Sequence, residues 1–92
     1  MIKSFKCRDT AALFAGQGVA RWANLRDAAE RKLLMLHRAI RLEDLRAPPN
    51  NRLELLEGNR AGQYSIRVND RWRVSFRFEG GDAFDVEIVD YH

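Results

Sequence analysis

The sequence closes on Asp90-Tyr91-His92, three side chains able to hold or move a proton. Shortly before them Arg71, Arg73, Ser75 and Arg77 recur at every second position. Side chains of these types suit cleavage of an RNA phosphodiester. That reaction, run on side chains alone, needs a base for the ribose 2′-OH, a cation for the extra negative charge of the phosphorane, and an acid for the departing 5′-oxygen. An arginine with acid and base partners meets those needs, because its planar fork of donors matches phosphate. The same residues also fit a plainer role. Arg67, Arg73 and Arg77 beside Asp85 and Glu87 can form cross-strand ion pairs on a solvated sheet face, each worth roughly 0.2–1 kcal/mol. A polar tripeptide at a chain end is, by composition alone, a loose tail.

The elements that must position these groups follow from periodicity. Arg71 to Phe78 alternates, with Trp72, Val74, Phe76 and Phe78 on one face and Arg71, Arg73, Ser75 and Arg77 on the other, which is a half-buried strand. Gln63–Val68 precedes it across the Asn69-Asp70 turn, and Leu53, Leu55 and Leu56 begin an earlier strand joined to it by Gly58-Asn59-Arg60-Ala61-Gly62. After the Gly80-Gly81 turn a last strand, about Ala83 to Val89, is expected to place Phe84, Val86 and Ile88 in the core and Asp85 and Glu87 outside. Alternation then carries Tyr91 to the side of Arg73. Asp90 and His92 fall in phase with the core, so convergence of all three requires the strand to bend or end there.

Ahead of the strands lie a weak strand at Ile2 to Lys6 and a short helix to about Ala15, capped by Asp9 or Thr10. A long helix from about Val19 to Arg41 follows, its stripe made of Trp22, Leu25, Ala29, Leu33, Leu36 and Ile40. Arg31 and Arg38 point away from that stripe, with Lys32 and Arg41 at its edges and Asp27 able to pair with Arg31. Leu34 and Met35 also fall off the stripe, and packing by the first helix is the favoured account. Pro48-Pro49-Asn50-Asn51 stops the helical half. The expected class is α+β: an N-terminal strand, then two helices on one face of a mainly antiparallel sheet of about four to five strands, in a single domain spanning 1–92.

With 92 residues the chain is too short for two cores. No apolar run reaches bilayer length, and the first residues lack the pattern of a secretion signal, which points to the cytosol and to no membrane partner. Cys7 is the sole cysteine, and with His37 and His92 it makes too small a set for zinc, so neither disulfide, metal nor other cofactor is expected. Residues 1–47 hold ten Lys and Arg against five Asp and Glu, whereas residues 48–92 hold six against eight. Thirteen of the sixteen cations are arginine, which favours phosphate-rich partners for the basic front half.

Residues 62–74, Gly-Gln-Tyr-Ser-Ile-Arg-Val-Asn-Asp-Arg-Trp-Arg-Val, and 81–92, Gly-Asp-Ala-Phe-Asp-Val-Glu-Ile-Val-Asp-Tyr-His, closely resemble the C-terminal half of HigB-type toxins, the plasmid-maintenance killer proteins of the RelE/ParE superfamily. The opening Met1-Ile2-Lys3-Ser4-Phe5-Lys6 matches as well, and residues 7–47 match in pattern. The resemblance implies a RelE-like fold and a type II toxin that acts as a ribosome-dependent, metal-independent endoribonuclease on mRNA in the ribosomal A site. It also implies neutralisation by a helix-turn-helix antitoxin of the HigA type, in a heterotetramer that binds operator DNA.

Carried over by position, Arg73 stabilises the phosphorane, Asp90 and His92 are acid and base candidates, and Tyr91 stacks on or orients a base or ribose. Some relatives have a histidine and a lysine where this chain has Glu54 and Glu57. Glu54 remains a candidate general base, while Glu57 would repel phosphate unless it faces away or pairs with Arg60. Docking among ribosomal RNA phosphates assigns Arg31, Lys32, Arg38, Arg41 and Arg67 to RNA binding. Two other functions stay open at this level: inhibition of DNA gyrase in the manner of ParE toxins, and a degenerate toxin that survives as corepressor with its antitoxin.

Overall fold

Alternation in the second half of the chain builds a sheet, and the apolar stripe of the first half covers one of its faces. The computed structural model describes residues 1–90. In chain order it contains α1 (Arg8–Phe14), a 3-10 segment (Ala20–Leu25), α2 (Arg26–Arg38), 3-10 turns at Leu42–Arg46 and Pro49–Asn51, β1 (Glu54–Leu55), a 3-10 turn at Gly58–Arg60, β2 (Tyr64–Arg67), β3 (Trp72–Glu79) and β4 (Asp82–Asp90). The strands form one antiparallel sheet in the order β1-β2-β3-β4. No described helix is long and apolar enough to cross a membrane.

Leu13, Trp22, Leu25, Ala29, Leu33 and Leu36 from the helical half are buried against Ile66, Val74, Phe76, Val86 and Ile88 of the sheet. Trp22 meets Trp72 edge to face at 6.2 Å between ring centroids, a geometry that ring quadrupoles favour. His37 ties α2 to the start of the chain by accepting the Ile2 N–H at Nδ1, 3.1 Å away. The Gly80-Gly81 turn takes positive φ at both residues, as a tight hairpin requires, and a Cβ at Gly81 would stand 3.1 Å from the Ile40 carbonyl.

Several expectations are corrected. The long helix is broken: Ala20–Leu25 is 3-10, with Trp22 at non-helical φ −113°, and α2 begins only at Arg26. Its other end falls at Arg38, because Asp44 Oδ2 accepts the N–H groups of Ile40 and Arg41, both at 3.0 Å, and Ala39 turns extended. Ile40 therefore leaves the stripe and is 74% exposed. Leu34 is exposed instead of covered by α1. Arg26 pairs with Glu30 at i,i+4 spacing, and no Asp27–Arg31 ion pair forms among the described residues. Neither Asp9 nor Thr10 caps α1, whose N-cap position is Cys7 with no side-chain cap hydrogen bond.

The largest correction lies in β4. Ser75 pairs with Glu87 but Arg77 pairs with Phe84, so β4 carries one extra residue, a bulge at Asp85 where φ is +53°. The extra residue reverses the phase of everything before it. Ala83, not Phe84, is buried in the core, and Phe84 stands directly opposite Arg77 on the other face.

The N-terminal residues pair with the outer edge of β4 through parallel bridges, Ile2 to Ala83 and Phe5 to Val86. The N–H groups of Ala83 and Val86 reach the carbonyls of Met1 and Ser4 at 2.9 and 3.1 Å, and Asp85 N–H reaches Ser4 Oγ at 2.8 Å. Thr10 Oγ1 completes the row by accepting the Ile88 N–H at 3.0 Å. An edge strand left open would present these donors to other chains. Thr10→Val should leave a buried amide without that acceptor and lower stability by about 1–3 kcal/mol. Thr10→Ser should keep most of the stability. Urea melts of the three proteins check this, and equal midpoints for Thr10→Val and the wild type would count against it.

Candidate active site

The sheet face turned away from the helices carries the rows Glu54–Ser65–Ser75–Glu87 and Arg67–Arg73–Val89, side by side across the strands. Arg73 is the centre of this face. Sequence alternation puts it on a solvated surface, yet it is only 4% exposed. The chain covers it, because Arg52 adopts a left-handed conformation (φ +45°) and turns residues 52–54 over the strand ends. A guanidinium so placed needs acceptors for its donors. Nε donates to Ser65 Oγ at 2.7 Å, and one terminal nitrogen donates to the Ser65 carbonyl at 3.2 Å and to the Arg52 carbonyl. These acceptors are uncharged. The carboxylate of Glu54, opposite Ser65 in the register of β1 and β2, stands 4.0 Å from the same nitrogen.

A cleft of about 190 Å³ opens beside this pair, lined by Arg52, Glu54, Arg67, Asn69, Asp70 and Arg73. Arg67 reaches Asp70 in the following turn, and Asn69 Oδ1 accepts the N–H groups of Arg71 and Trp72, both at 2.9 Å, which fixes that rim. The cleft thus joins an oriented cation, a half-exposed carboxylate and a second guanidinium. Glu57 is exposed, and Arg60 does not pair with it. Arg60 instead reaches back over the sheet to Glu87 at 2.8 Å and Ser75 Oγ at 3.4 Å. Among the described residues no group of three or more His, Cys, Asp and Glu is arranged to hold a metal ion.

The other expected residues are distributed as follows. Asp90 lies opposite Trp72, in phase with the core face as alternation requires, and β4 continues to it without bending away. Its carboxylate is held by Arg71 at 2.9 Å from Nε and 2.8 Å from a terminal nitrogen. Tyr91 and His92 lie outside the described residues. Arg31 and Arg38 are exposed on α2, flanking Leu34 and Met35 in a shallow groove of about 290 Å³. Arg41 is also exposed and stands 3.7 Å from Glu43.

Lys32 is not at a solvent edge. It is buried, because the chain from Leu45 to Arg52 crosses over it, and its ammonium donates to Asn51 Oδ1 at 2.5 Å. Asn51 is fully buried and donates in turn to the carbonyls of Leu45 and Ala47 at 3.1 and 3.3 Å. The contacts therefore run from α2 through Lys32 and Asn51 to Arg52, whose carbonyl holds Arg73. Ser65, Arg52 and Asn51 are the supporting residues that sequence reasoning missed. Only Ser65 left a signal, since its alternation places it on the arginine face.

Burial, followed by the charges of Arg31 and Arg67, holds the Lys32 ammonium below its ordinary value of 10.5. The unfolded chain then binds more protons between the depressed value and 10.5, so this group makes stability rise with pH across that window. Lys32→Met should remove the dependence, with the wild type gaining on the variant as pH approaches 10.5 in urea titrations. Parallel pH profiles would exclude a charged, desolvated lysine. Asn51→Leu should destabilise by about 3 kcal/mol, because it strands that ammonium.

Comparison with known proteins adds to this geometry. A family model described as HigB-like toxin, the RelE-like toxin of type II toxin-antitoxin system HigB, matches residues 18–92. The chain is 44% identical over 63 residues to Toxin HigB-1 of Vibrio cholerae serotype O1, a match covering 68% of this chain and 66% of that protein, slightly under two thirds of its length. It is 34% identical over 94 residues to Endoribonuclease HigB of Proteus vulgaris, with full coverage of both. In three dimensions it is similar to a chain of the YoeB-YefM complex from Staphylococcus aureus, with a TM-score of 0.57 at 14% identity, over 100% of this chain and 98% of that one.

Proposed function

This chain belongs to the HigB-like toxin family of type II toxin-antitoxin systems, and from that premise we propose that it is an endoribonuclease that cleaves mRNA in the ribosomal A site and so arrests translation. The observation that carries the proposal is the buried, pre-oriented Arg73 guanidinium with the Glu54 carboxylate 4.0 Å away at the same cleft. A cation fixed before the substrate arrives needs no reorganisation as charge develops on the phosphorane, and removing such a donor costs about 10²–10³ in rate. The name of the Proteus vulgaris relative supports the activity.

In the proposed reaction Glu54 takes the proton of the ribose 2′-OH. The 2′-oxygen attacks the adjacent phosphorus, and Arg73 stabilises the extra negative charge of the phosphorane. The bond to the 5′-oxygen breaks as that oxygen receives a proton, with His92 as the acid and Tyr91 orienting the nucleotide. The products are a 2′,3′-cyclic phosphate and a 5′-hydroxyl. Asp90, locked to Arg71, anchors β4 at the residue before that pair. Arg31, Arg38 and Arg41 on the exposed helical side contact ribosomal RNA phosphates, and Arg67 contacts the message at the cleft. A helix-turn-helix antitoxin of the HigA type holds the toxin inactive in a heterotetramer on operator DNA.

Arg73→Lys and Arg73→Ala should each lower ribosome-dependent cleavage by at least a hundredfold, read from mapped mRNA 5′ ends, and abolish growth arrest on induction. Arg73→Ala that still arrests growth would end the proposal, and a gyrase supercoiling assay run alongside would expose the ParE-like alternative. Glu54→Gln should shift the pH profile of cleavage and reduce its rate about a hundredfold or more. An unchanged profile removes the base role from Glu54. Reversing Arg31 and Arg38 together should weaken ribosome binding most at low salt.

A further inference from the structure

The bulge at Asp85 places an aromatic ring where alternation puts none. Phe84 stands on the Arg73 face, opposite Arg77 in the register, and it is absent from the partly buried hydrophobic residues packed against the core. A phenyl ring turned out of the core forgoes the stabilisation of full burial, and a β-bulge is a device that re-aims a side chain. The Arg77 guanidinium lies over this ring, 5.2 Å from its centroid. It is held there by Asp85 at 2.9 Å from Nε and by Glu79. The result is a ring with a guanidinium held over it by two carboxylates, and both groups are surfaces on which nucleobases stack.

The position of the pair is as telling as its chemistry. Arg73, Ser75 and Arg77 occupy successive same-face positions on β3, so Arg77 lies about 13 Å along the strand from Arg73. Between them Arg60 is fastened to Ser75 and Glu87, and Lys6 stands 3.9 Å from Glu87. Cations thus recur along a line that begins at the cleft and ends at the ring.

We propose that Phe84 and Arg77 form a base-stacking subsite for single-stranded RNA, which takes a nucleobase about two nucleotides from the phosphate held at Arg73. Arg60 and Lys6 accompany the intervening backbone. The subsite deepens the ribonuclease reading and rests on it: Arg73 positions the scissile phosphate, and the ring fixes how far the strand extends along the sheet.

The test uses the full chain and two uncleavable probes. One is a dinucleotide with a 2′-deoxyribose at the junction. The other is a hexanucleotide with the same junction, extended by two nucleotides on each side. Wild type and Phe84→Trp should bind the hexanucleotide about tenfold more tightly than the dinucleotide. Phe84→Leu, which keeps apolar bulk without a π-face, should lose most of that preference and bind the dinucleotide as the wild type does. The part of the preference that Phe84 supplies, read as wild type against Phe84→Leu, should persist as salt is raised, because stacking releases few counterions, while the part carried by Arg60 and Lys6 falls along with the affinity for both probes. A Phe84→Leu protein that retains the preference, or a wild type that lacks it, overturns the subsite. Failure of the underlying reading shows elsewhere: Arg73→Ala would then keep its affinity for both probes and its cleavage of mRNA on the ribosome. Circular dichroism of the Leu and Trp variants separates loss of the platform from loss of the fold.

Discussion

A guanidinium taken out of water must find an acceptor for each donor it brings with it, and around Arg73 that demand organises the molecule. Ser65 answers it from the neighbouring strand with both its hydroxyl and its carbonyl, and Arg52 answers it with a carbonyl delivered by a left-handed turn. The turn in turn depends on Asn51, a fully buried amide whose donors hold the Leu45 and Ala47 carbonyls and whose oxygen holds Lys32. The irregular chain between α2 and β1, which looks like a linker by composition, therefore supplies one side of the cleft through Arg52. It leaves room for only two residues of β1, with Glu54 as the one that faces the cation.

The two sheet faces serve different ends because only one of them is covered by helices. Apolar side chains from α1, the 3-10 segment and α2 fill the first face, and the rigidity of that packing holds β2 and β3 in register behind the site. On the second face the polar rows are tied to one another by short ion pairs and serine hydroxyls. Such pairs add little stability where solvent reaches them, but they fix the directions in which guanidinium groups point. Orientation of that kind is what a phosphate-binding surface requires.

Much of this was written plainly in the pattern of residues. The alternation of β3 gave the face on which Arg73 sits, and the helical stripe gave most of the core. What stayed hidden has physical causes. Periodicity treats each element alone, so it cannot see the chain crossing over Lys32 or Arg52 folding over Arg73. The early end of α2 comes from a carboxylate, Asp44, that claims two amides from across a turn. Phe84 misled because a bulge is a backbone event; an aspartate at φ +53° leaves no compositional mark, yet it reverses the phase of every residue before it. Asp90 was legible in phase, opposite Trp72, while its bond to Arg71 required knowing where that side chain turns. Glu54 stood out by its type, and its distance to Arg73 follows only from the pairing of β1 with β2.

The row of bonds from Met1, Ser4 and Thr10 to the edge of β4 joins residues some eighty positions apart. During synthesis the stretch from Met1 to Thr10 leaves the ribosome well before β4 and must wait, without its partner, for the roughly seventy residues between them. Pairing over such a span closes a long loop, which slows folding. The cleft, whose central arginine pairs with Val89 across β4, is thus assembled only once that strand has itself been made.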